Sequence, residues 1–309
     1  MQTVHRISKN KMNTNHRYLF ILDPTSRKLK CPQCGQKSFV AMINTETGEI
    51  LGQYGRCDRE VKCACFQHPS ADGFQNTIST TSQFVEIAKN PNFHHRQLVM
   101  DSLKWSNNLL NYFELVFGKY QAELIQKKYK IGTFPQKNFG TVFWQIDENN
   151  KVRGGKIINY LSTGKRTKKI DWVHSYLKRM GQLKEFCLSQ CLFGLHLIRE
   201  DKTSVIAIVE SEKTACMMSV VFPEFLWIAC GAKGEFKLSK LAPIQHRKII
   251  AYPDCEIQKN GFTTFDEWKS KASKFNEQGF DISVSNLLEI ETTAEQKIKG
   301  MDLADFFMM

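Results

Sequence analysis

The feature that most narrows the possible folds is a regular alternation between residues 204 and 284. "SVIAIV", "FLWIAC", "KIIAY" and "FDISVSNL" are short, nearly continuous apolar runs, the pattern of strands buried on both faces. Between them lie "KTACMMSVVF", stopped by Pro223, then the shorter "FKLSKLAPI", and "TTFDEWKSKASKF", all with helical period. Strands alternating with helices predict a parallel, Rossmann-like sheet. Such sheets gather ligand chemistry beyond the carboxyl ends of their strands. There "SVIAIV" breaks off at Glu210, and "KIIAYP" is followed at once by Asp254, Cys255 and Glu256.

Neighbouring strands of a doubly wound sheet empty into one crevice, so Glu210, Asp254 and Glu256 are expected to meet there. Three carboxylates are hard oxygen donors suited to Mg²⁺ or Mn²⁺. Their usual chemistry is phosphoryl or nucleotidyl transfer, in which the metal orients and neutralises phosphate oxygens. The competing reading is that each carboxylate caps the positive end of the helix after its strand. Lys213 and Lys233, in the adjacent loops, read either as phosphate ligands or as solvated lysines.

A second constraint lies near the N-terminus. Five of the ten cysteines fall between residues 31 and 65. Cys31-Pro-Gln-Cys34-Gly has the spacing of a zinc knuckle, with Gly35 permitting the tight turn. Cys57 and Cys63 follow after "KSFVAMINTETGEILGQYGR", which reads as a hairpin hung between two knuckles. The expected ligands are Cys31, Cys34, Cys57 and Cys63, with Cys65 and His68 as nearby substitutes. Four thiolates leave no open position, so the zinc is expected to be structural. Arg56, Arg59, Lys62, Phe39 and Tyr54 offer the ribbon a surface for single strands, through charge and stacking. The other cysteines (Cys187, Cys191, Cys216, Cys230, Cys255) read as small core residues of a protein in a reducing, cytoplasmic compartment.

The expected organisation is a zinc ribbon over residues 18–70, a polar linker over 71–83, a mixed α+β subdomain over 84–200 and the alternating domain over 201–309. Within the middle subdomain, "SNNLLNYFELVFG" reads as a helix capped by Ser106 and ended by Gly118. "TVFWQI" and "KVRGGKIINYL" form a second hairpin, and "LKEFCLSQCLFGLHLIRE" an amphipathic helix. The stretch 151–169 carries Lys151, Arg153, Lys156, Lys165, Arg166, Lys168 and Lys169 and no acidic residue. It reads as a groove for a phosphate backbone or as a solvated turn. In "IDWVHSYLK", Trp172 and His174 read as a core tryptophan and a surface histidine, or alternatively as stacking platforms for bases.

Three fragments carry a family resemblance. "IAIVESEKTA", "IACGAKGEF" and "IAYPDCE" resemble the Toprim domain of bacterial primases, topoisomerases and some nucleases. In that family a Glu follows the first strand, a Gly-containing turn the second, and an Asp-x-Asp the third. Glu210, the Gly231/Gly234 turn with Lys233, and Asp254 with Glu256 match those positions. The order of ribbon, mixed subdomain and Toprim domain resembles bacterial DNA primase. "CPQCGQKSF", "GRCDREVKC", "IDWVHSYLK", "CLFGLHLI" and "VESEKTA" resemble a group of primase-like zinc-ribbon/Toprim proteins of bacterial mobile elements. The pattern departs at Glu256, where the family has Asp, and at Thr214, where a primase has an acidic residue; Asp302 or Asp305 in "GMDLADFF" is a substitute.

The resemblance implies an α/β fold: zinc ribbon, mixed α+β subdomain and a C-terminal Toprim-type parallel sheet. It implies that Glu210 acts as general acid or base and that Asp254 and Glu256 hold Mg²⁺ or Mn²⁺. Gly231, Lys233 and Gly234 would form the nucleotide-facing turn, and Lys156, Lys165, Arg166, Lys168, Lys169 and Lys213 the nucleic-acid surface. The implied activity is primer synthesis on single-stranded DNA from nucleotides, for replication or transfer of a mobile element, beside a replicative helicase or a relaxase. A Toprim nuclease and a non-catalytic nucleic-acid-binding protein remain as alternatives. Charge agrees with a polyanionic partner, since Lys and Arg outnumber Asp and Glu 43 to 31, a formal +12. No apolar stretch approaches the roughly 20 residues of a spanning helix, so no membrane is expected.

Overall fold

The computed structural model describes residues 18–25, 27–45, 47–59, 63, 65–73, 92–258 and 262–308, without the side chains of Lys168 and Lys169. Lys62 and most of the expected linker, residues 74–83, lie outside the described residues. The chain divides into two compact units, residues 1–87 and 88–309.

The first unit is a small antiparallel sheet. β1 (Phe20–Leu22) and β2 (Leu29–Lys30) pair with β3 (Lys37–Asn44), which pairs in turn with β4 (Ile50–Cys57), and β5 (Phe66–Gln67) completes the edge. The hairpin expected between the cysteine pairs is β3–β4. One buried cluster gathers Phe39 with the cysteines, and Phe20, Val40, Met42 and Ile43 are buried elsewhere on the sheet, a small core for which a metal staple is a usual supplement. Phe39 is wholly buried among those cysteines, so it offers no stacking face, contrary to expectation.

The second unit opens with α1 (Arg96–Ser102), α2 (Asn108–Phe117) and α3 (Lys119–Tyr129). Asn107, not Ser106, caps α2: its Oδ1 accepts from the N–H groups of Leu109 and Leu110 at 3.0 and 3.1 Å. Ser106 instead donates to Asn111 Oδ1. Then β6 (Gly132–Phe134), β7 (Gly140–Ile146), β8 (Val152–Tyr160) and β9 (Arg166–Trp172) form an antiparallel sheet in sequential order, followed by α4 (Val173–Arg179). Alternation along these strands sends Val142, Trp144 and Ile157 to one core and Phe143, Ile158 and Tyr160 to another.

That second core is shared with the parallel sheet. β10 (Ile206–Val209), β11 (Leu226–Ala229), β12 (Lys248–Tyr252) and β13 (Asp281–Val284) are ordered β11-β10-β12-β13, all parallel. The connecting helices are α5 (Glu212–Val221), α6 (Leu238–Leu241) and α7 (Thr264–Asn276), and α8 (Leu287–Glu291), α9 (Ala294–Lys299) and α10 (Leu303–Phe307) close the chain. From β10 the chain first builds to one side and then to the other. β10 is therefore where strand order reverses, with β12 beside it, the place such sheets bind ligands. The buried cluster spans the boundary expected at residue 200, joining Phe193 and Leu197 on one side to Ile206 and Ile208 on the other. Tyr129 stacks on Phe193 at 5.3 Å and donates to Trp227 O at 2.9 Å. A ring buried as fully as Phe193 contributes about 1.5–3 kcal/mol relative to exposure.

The amphipathic helix expected over 183–200 does not form; a short 3₁₀ turn at Leu195–Arg199 is the only helical part. Tertiary partners claim the segment first. Phe186 stacks between His94 and His174 at 4.5 and 5.4 Å, which leaves His174 half-buried. The backbone of Phe193 exchanges two hydrogen bonds with Ala229, at 2.9 and 3.0 Å. Among the described residues no helix is long and apolar enough to cross a membrane.

Candidate active site and metal centre

In the ribbon, Cys31, Cys34, Cys57 and Cys63 bring their sulfurs within 4.8 Å of one another. Sγ of Cys31 and Cys63 are 3.7 Å apart, and those of Cys34 and Cys57 3.9 Å. A tetrahedron of zinc–sulfur bonds of about 2.3 Å has edges of roughly 3.8 Å, so the four thiols fit a zinc ion. The first knuckle forms because Gly35, at φ +68°, turns its N–H back onto Cys31 O at 2.9 Å. Burial pushes the Cys63 thiol up to about 12, so its thiolate needs a cation nearby. Cys65 and His68 stand outside this set.

The second unit holds a cleft of about 860 Å³ between the antiparallel sheet and the carboxyl ends of the parallel strands. Glu210 and Asp254, Lys165 and Arg166, and Asp302 and Asp305 all line it. Glu210 follows β10 and Asp254 follows β12, so adjacent strands deliver the two acids to the reversal point. The Glu210 carbonyl accepts the Gly231 N–H at 2.8 Å, and Gly231 takes φ +91° to make that turn. Burial pushes Glu210 up to about 7, against the pull of the Asp254 backbone N–H and of Lys233. Burial, then the charge of Glu210, holds Asp254 well above the ordinary carboxylate range. Oδ1 of Asp254 is buried with no hydrogen-bond partner.

Glu256 does not join them. Lys233 Nζ donates to its Oε1 at 2.5 Å and Thr264 Oγ1 at 2.7 Å. Among the described residues the four thiols form the one group of three or more side chains able to share a metal ion. The expected convergence of three carboxylates is thus corrected to a pair, because an ammonium and a hydroxyl offer Glu256 a neutralising environment that a rim of acids does not. The same ion pair, with Glu267 Oε2 at 3.6 Å, engages Lys233 before any phosphate arrives. Gly234 stands in an exposed 3₁₀ turn.

The basic stretch also divides. Lys165 and Arg166 are exposed in the β8–β9 turn, where Gly164 packs so closely that an added Cβ would lie 2.6 Å from the Tyr112 ring. Lys213 stands 6.0 Å from the same ring and lines the cleft. Lys156, expected among the nucleic-acid contacts, is instead buried: its Nζ donates to Glu212 Oε1 and Oε2 at 3.0 and 3.1 Å and to Gly231 O at 2.7 Å. An ammonium with all three protons engaged ties the two sheets together and has nothing left for a phosphate. The side chains of Lys168 and Lys169 lie outside the described residues.

Asp302 accepts a 2.7 Å hydrogen bond from Thr214 Oγ1, beside the position where the sequence lacks an acid. Its other oxygen caps α10 through the Asp305 N–H at 2.8 Å. Burial, with the charge of Asp302, raises Asp305. Glu212 as the partner of Lys156, and Gln145, Trp172 and Gln190 at the far end of the cleft, had no signal as a group in the sequence.

Residues 107–255 match a family described as "Domain of unknown function (DUF6371)", and residues 18–79 match a zinc beta-ribbon finger family. The comparison with curated proteins gives no match. Among solved structures, the chain is similar to the RNA polymerase domain of Mycobacterium tuberculosis primase DnaG in complex with double-stranded DNA. That similarity has 12% identity and a TM-score of 0.42, over 69% of this chain and 74% of that one. The zinc-binding and RNA polymerase domains of Aquifex aeolicus primase give 11% identity and 0.36, over 85% and 73%. The primase fragment of the bacteriophage T7 primase-helicase protein gives 11% and 0.35, over 83% and 88%.

Proposed function

We propose that the protein is a primase-like nucleotidyltransferase that binds single-stranded DNA and joins nucleotides at the acidic cleft, in the replication or transfer of a mobile element beside a helicase or relaxase. One observation carries the reading. Two carboxylates from adjacent parallel strands, Glu210 and Asp254, line a single cleft with Lys165 and Arg166, and one oxygen of Asp254 is buried without a partner. The motifs "VESEKTA" and "IAYPDCE" that resemble Toprim domains supply those same two acids.

Hard carboxylate oxygens and an orphaned acceptor fit Mg²⁺ or Mn²⁺, which Asp254 and Glu210 would hold. When bound, such an ion neutralises charge on phosphate oxygens. Glu210, raised to about 7, suits a group that takes the proton of an attacking 3′-hydroxyl near neutral pH. Lys165 and Arg166 hold backbone phosphates, and Lys213 stands at the start of α5, where a helix favours anions. The zinc ribbon is a structural module in this scheme, and free thiols throughout the chain fit a reducing, cytoplasmic setting.

The separate ion pair of Glu256 favours a second reading, a nucleic-acid-binding protein without turnover. A template-dependent assay with labelled ribonucleotides and Mg²⁺ or Mn²⁺ decides. Extension products lost in Glu210→Gln support the polymerase. Cleavage of labelled DNA in place of extension assigns a nuclease. Binding without either reaction, unchanged in Glu210→Gln, leaves the second reading. In every case Lys165→Glu with Arg166→Glu should flatten the dependence of log K on log salt by roughly 1–2, about 0.7 for each phosphate no longer neutralised and more for the charges reversed.

A further inference from the structure

The far end of the cleft from Lys165 and Arg166 has a different chemistry. Gln145 lies opposite Gly154 on the β7–β8 ladder, and Trp172 lies opposite Lys156 on β8–β9. Alternation puts both side chains on the cleft face of the sheet, and both line the cleft with Gln190. Gln145 is 3% exposed, yet its Oε1 has no hydrogen-bond partner. A Cβ on residue 154 would lie 3.1 Å from that oxygen and 3.9 Å from Trp172 Cζ3, so the glycine leaves the amide and the indole side by side. A buried amide acceptor left unpaired is unfavourable elsewhere in proteins and is retained where a partner arrives.

From Gly154 to Tyr160, which pairs with Arg166, β8 advances about 20 Å at roughly 3.3 Å per residue. The cleft therefore has a phosphate-binding end of exposed cations and, along the same strand, an aromatic ring beside an unmet acceptor. An indole face is sequence-tolerant for bases, while an amide oxygen next to it discriminates between base edges.

We propose that Trp172 and Gln145 form a nucleobase subsite, in which the base packs on the indole and Gln145 Oε1 accepts a hydrogen from an exocyclic amino group. Adenine and cytosine offer that amino group on their pairing edge; thymine and uracil present carbonyl oxygens there instead. Gly154 leaves room for the amide and the indole to lie next to each other. The subsite rests on the reading of the cleft as a nucleic-acid site, and it adds base selectivity to it. The base belongs either to a bound strand or to a free nucleotide, and the two sources present the same edge.

The test is equilibrium binding by the full chain of single-stranded dA, dC and dT oligomers in one arm and of ATP, CTP and UTP in the other. In at least one arm, amino-bearing bases should bind roughly tenfold more tightly than thymine or uracil. Gln145→Met should erase that preference while leaving the melting temperature unchanged or higher, since it removes an unpaired acceptor; a purely structural glutamine would lower it. Trp172→Phe, which keeps an aromatic of smaller area in the fold, should weaken binding several-fold and lose part of the fluorescence quenching seen on binding. Equal affinity for all bases in both arms, or a preference that persists in Gln145→Met, overturns the subsite and leaves the cleft reading intact. Absence of any binding by the wild-type chain overturns both.

Discussion

The ribbon and the cleft both gather groups that carry negative charge, and they do so in opposite ways. The four sulfurs come from two short knuckles joined by one hairpin, and every one of them points at the same centre. The cleft draws Glu210, Asp254 and Asp302 from a sheet and from the chain's last segment, and intersperses them with Lys156, Lys165, Arg166 and Lys233. In the ribbon the cluster around Phe39 is made of the ligands themselves, so the site and that part of the core stand or fall together. The cleft sits on a large shared core, so its acids are free to be unfavourable. A site whose scaffold is stable without it can keep raised pKa values and an orphaned oxygen; a site that is its own scaffold cannot.

The largest effect that can break this contrast is metal removal. A strong zinc chelator, or Cys34→Ser, should remove folding free energy on the order of 10 kcal/mol from the ribbon. Backbone amide exchange across β3 and β4 should then rise to that of unfolded chain. Persistent protection in metal-free protein, with zinc loss verified by elemental analysis, would make the cysteines ordinary core thiols.

Next comes the buried pair that joins the sheets. Lys156→Met leaves Glu212 buried and uncompensated, and should cost about 3–5 kcal/mol in denaturant unfolding. Adding Glu212→Leu should recover most of that loss, because replacing both partners avoids burying a lone charge. If the double variant is no more stable than the single one, the pair is not an isolated electrostatic unit.

The smallest effect sharpens the contrast through pH. Glu210 is raised from its ordinary value near 4.5 to about 7 in the folded protein, chiefly by burial. The folded state therefore holds a proton that the unfolded chain has released. Stability from this group is complete below about pH 4.5 and is lost as pH rises through 7, on the order of 3 kcal/mol in all. Asp254 shifts in the same direction. Glu210→Gln should flatten that part of the stability profile, read from denaturation midpoints at pH 5 and pH 8. An unchanged slope would place the carboxylate in contact with bulk water.

What was legible follows from how local each constraint is. The cysteine spacing needed only a few residues to act, and Cys31, Cys34, Cys57 and Cys63 assemble as the spacing requires. The alternation over 204–284 predicted each strand and helix of the parallel sheet, since apolar runs and periods are properties of single segments. Residues 183–194 kept a helical period yet form no helix, because Phe186 and Phe193 found partners far away in sequence. Lys156 looked like one more member of a basic run until Glu212 met it, fifty-six positions on. Glu256 matched a motif position and still turned to Lys233.

By itself, then, the amino-acid sequence determined most of the elements, the zinc ligands and the fact that Glu210 and Asp254 end strands. Only the tertiary structure decided strand order, and with it which acids stand together, which lysines are spent on them, and that Gln145 and Trp172 share one end of the cleft. The reason is range: hydrogen-bonded periods and two-residue knuckles are set within a few bonds, whereas burial and charge pairing depend on what another segment brings to the same place.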